Sequence, residues 1–87
     1  MARRLPPVAV DTEPRIDDLA QLGRWIRNAR ARAQMRIDDA AAFSNVSADM
    51  LSRLENGKPV TTERLLKVLE ALGLEMTLAR RDGGAVD

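Results

Sequence analysis

The segment Ser44–Lys58, SNVSADMLSRLENGK, restricts this chain's fold more than any other. Val46-Ser47 sets an apolar residue before a hydroxyl that can cap the first N–H groups of a helix. Leu51 and Leu54 are three apart and can face one core. Asn56-Gly57 stops the helix, because glycine accepts the left-handed conformation of a C′ residue. The spacing therefore predicts a short helix over Ala48–Glu55. Its other face carries Ala48, Asp49, Ser52 and Arg53, a surface that is polar, low in bulk and suited to lying in a groove.

The 87 residues make one small domain the expectation. Apolar residues are 45% of the chain and aromatics only 2%, Trp25 and Phe43. A core of Leu, Ile, Val, Ala and Met suggests packed helices, and a core so small is often completed by oligomerisation. There is no cysteine or histidine, which excludes disulfides, thiol chemistry and zinc sites. No metal and no cofactor are expected. The net charge is +1, yet Arg24, Arg27, Arg30, Arg32 and Arg36 fall in a window, 19–37, that holds no acid. Such a run reads as a local footprint for a polyanion or as a solvated helix face. No apolar run approaches the ~20 residues of a membrane span. The start, MARRLPPVAV, has too short an apolar part, broken by Pro6-Pro7, to act as a secretory signal. A soluble cytoplasmic protein is expected.

Residues 1–15, with three prolines and no periodicity, read as a flexible arm; 16–79 read as the folded domain and 80–87 as a disordered tail. From about Asp17, the positions Leu19, Leu22, Ile26, Ala29 and Ala33 recur as in an amphipathic helix, with Asp17-Asp18 favouring its positive end. Ile37–Phe43 reads as a second helix, followed by a Ser44-Asn45 turn. After the Ala48–Glu55 helix and a 57–60 loop, Thr61-Thr62 can cap a fourth helix near Thr62–Leu72, which Gly73 ends. Leu65, Leu66, Val68, Leu69 and Leu72 cover more than one stripe, so this helix is expected to bury one face internally and another against a partner. Leu74–Leu78 alternates apolar and polar like a strand. It has no second strand to pair with, and pairing with its copy in a two-fold homodimer would satisfy its backbone. The expected dimer interface is Leu69, Leu72, Leu74, Met76 and Leu78. The expected fold is all-α, about four helices, with a C-terminal β-strand pairing across a homodimer.

Two short helices joined by a tight turn match the helix-turn-helix, in which the second helix enters the DNA major groove. Ser47, Ala48, Asp49, Ser52 and Arg53 would then face the bases. Arg53 can donate to guanine, Ser52 can donate or accept, Asp49 can accept from a cytosine amine and Ala48 can touch a thymine methyl. Phosphate contacts would come from the N–H groups near Arg36-Ile37 and from the Asn56-Gly57-Lys58 loop. Plain solvation of Arg36 and Lys58, and an ordinary helical hairpin, remain open on spacing alone. An enzyme is not expected: His, Cys and Tyr are missing, and the paired acids are sequence neighbours pointing to different faces.

From Leu22 to Lys58 the chain resembles the phage-repressor, or XRE/Cro, family of helix-turn-helix domains. The residues that carry this are Leu22-Gly23, Ile26-Arg27, Arg30, Asp38-Asp39, Ala41, Val46-Ser47, Leu51-Ser52-Arg53-Leu54 and Glu55-Asn56-Gly57-Lys58. The resemblance implies a lambda-repressor-like fold in which Arg30 pairs with Glu55. Downstream, Arg64-Leu65-Leu66-Lys67-Val68-Leu69 and Ala71-Leu72-Gly73-Leu74-Glu75 resemble the HipB-type antitoxins. That implies a strand-paired dimer that represses its own operon at a palindromic double-stranded operator and binds a HipA-type kinase toxin. A regulator without a toxin, or a protein–protein adaptor, are the other readings. The sequence departs from the family at three places. Arg36-Ile37 stand where a Thr-Gln pair usually opens helix 2, Ala40 replaces a Leu, and Asn45 replaces a turn Gly. Ile37 cannot make the phosphate hydrogen bond of that Gln, while Arg36 can replace it electrostatically. The smaller Ala40 calls for compensation by Phe43 or Met50.

Overall fold

A computed structural model describes residues 15–82; residues 1–14 of the arm expected over 1–15 and the end of the tail, 83–87, lie outside the described residues. Four helices follow in order: α1 Leu19–Arg32, α2 Ile37–Ser44, α3 Ala48–Glu55 and α4 Thr62–Ala71. Three begin at side-chain caps. Asp18 accepts from the Gln21 N–H at 2.8 Å, Ser47 from Met50 at 3.0 Å and Thr61 from Arg64 at 3.3 Å. Each cap satisfies a donor that the first turn cannot pair internally.

All four helices end in the same way. A residue in the left-handed region follows the last turn: Gln34 (φ 59°), Asn45 (φ 61°), Gly57 (φ 77°) and Gly73 (φ 73°). The N–H of the next residue then reaches back five positions, Met35 to Arg30, Val46 to Ala41, Lys58 to Arg53 and Leu74 to Leu69, at 2.8–3.2 Å. This is the Schellman arrangement, and it turns the following side chain back over the helix. Three of those side chains, Met35, Val46 and Leu74, pack on the core. Three of the four helix stops therefore also place a core residue. At Asn45 the amide side chain tolerates the conformation that a glycine would otherwise supply.

The core consists of Ile26, Ala40, Ala41, Met50, Leu51, Leu54, Val68 and Leu69. Met50 lies in the same buried cluster as Ala40, whereas Phe43 is 69% exposed and takes no part in it. The buried Ser44 hydroxyl donates to the Ala40 carbonyl at 2.7 Å, so it is satisfied within α2. Leu69, one of the residues expected at a dimer interface, is 7% exposed and belongs to this core. The face of α4 left outward carries Leu66, 47% exposed. Leu72 and Leu74 are partly buried against the core, while Met76 and Leu78 are 51% and 72% exposed. Residues 74–78 form no ladder among the described residues, and the Leu74 N–H is already committed to the α4 stop.

An eight-residue helix is too short to persist by itself, so the position of α3 depends on what grips it. Its C-terminal end rests directly on α1. A Cβ at Gly23 would lie 2.6 Å from the carbonyl oxygens of both Leu54 and Glu55, closer than any side chain permits. Arg30 completes the grip. Its Nε and Nη2 donate to the two Glu55 carboxylate oxygens at 2.6 and 2.9 Å, and Nη1 donates to the Met35 carbonyl at 3.0 Å. The Glu55 side chain is 2% exposed. Hydrogen bonding to Glu55 raises the guanidinium pKa above its ordinary value against the opposing effect of burial, so Arg30 stays charged wherever the protein folds. Gly23→Ala should lower unfolding free energy by about 1–3 kcal/mol through overpacking against backbone. Glu55→Ala should lower it by about 3 kcal/mol, because Arg30 keeps its charge and loses its partner. Urea titration of the two variants measures both losses.

Candidate nucleic-acid interface

α2 and α3 are joined by three residues, Asn45, Val46 and Ser47, and both turn their apolar faces inward. The outer surface of α3 is what remains. Ala48, Asp49 and Arg53 are exposed on it, with Ser47 at its start and Ser52 half-buried. The Ser47 oxygen is occupied as the cap, which leaves its proton free to donate. Arg53 Nη2 donates to the Pro59 carbonyl at 3.3 Å on an exposed surface. That single long bond leaves most of the guanidinium donors open to another acceptor.

The residues read as phosphate-facing divide into two groups. Arg36 is the α2 N-cap residue and supplies no side-chain cap, and its Nε is 3.4 Å from Asp38 Oδ1 in a fully solvated setting. Lys58 is exposed. Ile37, by contrast, packs against the core, so at this position only the backbone N–H can serve a phosphate and the side chain cannot. Asn56 is engaged in closing the helix: its Nδ2 donates to the Ser52 carbonyl at 2.8 Å, and its Oδ1 accepts from Arg27 at 3.4 Å.

The arginine-rich stretch of α1 is not one stripe. Arg30 turns inward to Glu55, and Arg27 approaches both Glu55, at 3.6 Å, and Asn56. Two of its four cations thus help to hold α3. Among the described residues, Arg24 and Arg32 of α1 and Arg64 and Lys67 of α4 have no ion pair. An open groove of about 740 Å³ separates α3 from the start of α4, with Ser47, Asp49 and Arg53 on one wall and Thr61, Arg64 and Lys67 on the other. Arg64 and Lys67, three residues apart just after the loop, were not among the site residues expected from the sequence.

No curated protein matches the chain. Among solved structures, it is similar to a HipB complex with an O2 20mer at TM-score 0.73 and 22% identity, covering 80% of this chain and 99% of that one. A HipA-HipB-O2-O3 complex gives TM-score 0.72 and 23% identity, with 79% and 99% covered. At these identities the likeness shows a shared fold. The clp gene regulator ClgR from C. glutamicum is 40% identical at TM-score 0.56, over 62% of this chain and 71% of that chain. The family described as "Helix-turn-helix domain" matches residues 21–81, which run from the first turn of α1 through α4 and include the groove between α3 and α4, and the chain belongs to that family.

Proposed function

We propose that this chain is a dimeric transcriptional repressor that reads double-stranded DNA with α3, and that it is a HipB-like antitoxin which represses its own operon and binds a HipA-type kinase toxin. The observation that carries the DNA reading is the outer face of α3. It is exposed, polar and lacking large apolar side chains, and the grip of α1 on Glu55 fixes its direction. Arg53 and Ser52 supply donors for base edges, and Ala48 a methyl-sized contact. The open first turn of α2, Arg36 and Lys58 supply backbone positioning. The likeness to HipB structures supports the antitoxin reading. The higher identity to the regulator ClgR favours the second reading, a regulator that has no toxin.

Dimerisation follows from what the core leaves over. Leu66, Met76 and Leu78 are large, apolar and exposed, and the backbone over 75–78, which forms no ladder among the described residues, would pair with its copy around a two-fold axis. The ribbon would begin at Glu75, since the Leu74 N–H is used by the α4 stop.

Binding to an operator duplex should weaken steeply with salt. For about four to eight phosphate contacts per dimer, the log–log slope is roughly −4 to −7. A flat response would leave only a protein-adaptor role for the α3 face. Arg53→Ala should cost about 1–3 kcal/mol on the operator and much less on random DNA, which competition binding separates. Leu78→Glu should shift sedimentation toward the monomer; a dimer of unchanged affinity would remove the ribbon. Co-expression with a HipA-type kinase from the neighbouring reading frame should give a stable complex, and two separately eluting proteins would favour the toxin-free regulator.

A further inference from the structure

The groove between α3 and α4 holds chemistry that neither the fold nor the α3 base-reading face requires. Arg53, Arg64 and Lys67 line it with a single acid, Asp49. Neither Arg64 nor Lys67 has an ion pair or a side-chain hydrogen bond among the described residues, whereas Arg27, Arg30 and Arg36 each have one. Arg64 is exposed. Lys67 is half-buried, which for a lysine means that its methylene stem lies along the protein and its ammonium reaches outward. The two stand one helical turn apart on α4, so both cations project from the same face.

We propose that Arg64 and Lys67 form a second phosphate-binding wall, which grips the DNA strand bordering the major groove while α3 reads the bases. The proposal rests on the DNA-binding reading above and extends it to residues outside the helix-turn-helix itself. Continuity identifies the occupant. The opposite wall is made of Ser47, Asp49 and Arg53, so a duplex seated on α3 brings its backbone to the mouth of this groove. The charge balance of the groove, three cations to one acid, suits a polyanion. It also explains how Asp49 can stand on a DNA-facing surface, because the cations around it offset its repulsion of phosphate. Arg53 connects the two walls: its bond to the Pro59 carbonyl holds it over the groove until a better acceptor arrives.

The test uses the full chain with two duplexes of equal length, one selected from a random library and one scrambled, titrated between 50 and 200 mM KCl. Arg64→Gln and Lys67→Gln together should remove two contacts per protomer and make the log–log salt slope shallower by about 1.8 per half-site. Affinity should fall by the same factor on both duplexes, since phosphate carries no sequence. Arg64→Lys should keep the slope. If the wild type is steeply salt-dependent and the double variant matches it, the second wall is overturned while α3 binding stands. Loss confined to the selected duplex overturns it as well, by making these residues base readers. A wild type with no salt dependence overturns the DNA reading and the wall together. Each variant alone, with its melting temperature measured in parallel, separates lost contact from lost folding: a slope change at an unchanged melting temperature supports the wall.

Discussion

The bidentate pair between Arg30 and Glu55 is the interaction on which the rest of this molecule depends. α3 has only eight residues, and its reading face is useful only if its direction is fixed. Leu51 and Leu54 anchor its underside, but apolar packing is tolerant of rotation and sliding. A forked guanidinium on a carboxylate is not, because both N–H···O bonds fail together when the geometry shifts. The pair needs α1 to come very near, and Gly23 permits that by bringing backbone against the last carbonyls of α3. Arg30 also bonds the Met35 carbonyl, so the same side chain links the stop of α1 to the end of α3. A buried carboxylate is costly to desolvate, which makes the pair a device of orientation more than a source of stability.

The helix ends show a second economy. In a domain with so few core positions, every turn has to contribute to packing. The Schellman stops do this by folding Met35, Val46 and Leu74 back onto the helices they terminate. Two of the left-handed positions are not glycine. Asn45 is suited to the role, whereas Gln34 holds it without local help, a conformation that costs an ordinary residue about 1 kcal/mol or more.

The small core also shapes what the surface can do. Leu69 is consumed internally, and Leu66, Met76 and Leu78 are left outside, along with the two aromatics, Trp25 and Phe43. Exposed apolar groups on this scale suit a protein that completes itself by association. The α3 face and the α4 cations carry the polar chemistry.

Much of this was legible in the residues. The capped start at Ser47, the Gly57 and Gly73 stops, the three-and-four spacing of α1 and the turn before α3 all express local backbone chemistry, which depends on near neighbours only. The polar outer face of α3 followed from the same periodicity. The sequence by itself did not determine which apolar face of α4 turns inward, because Leu65, Leu66, Val68, Leu69 and Leu72 surround the helix and only the position of α2 selects among them. Nor did it determine that Ile37 points into the core, that Gln34 ends α1, or that the α1 arginines divide between the Glu55 brace and solvent. Those outcomes depend on contacts between residues far apart in the chain, such as Arg30 with Glu55 and Gly23 with Leu54. The groove joining Asp49 and Arg53 to Arg64 and Lys67 is likewise tertiary. Local propensity writes the helices and their ends, and the packing of one helix on another decides which of their faces become surface.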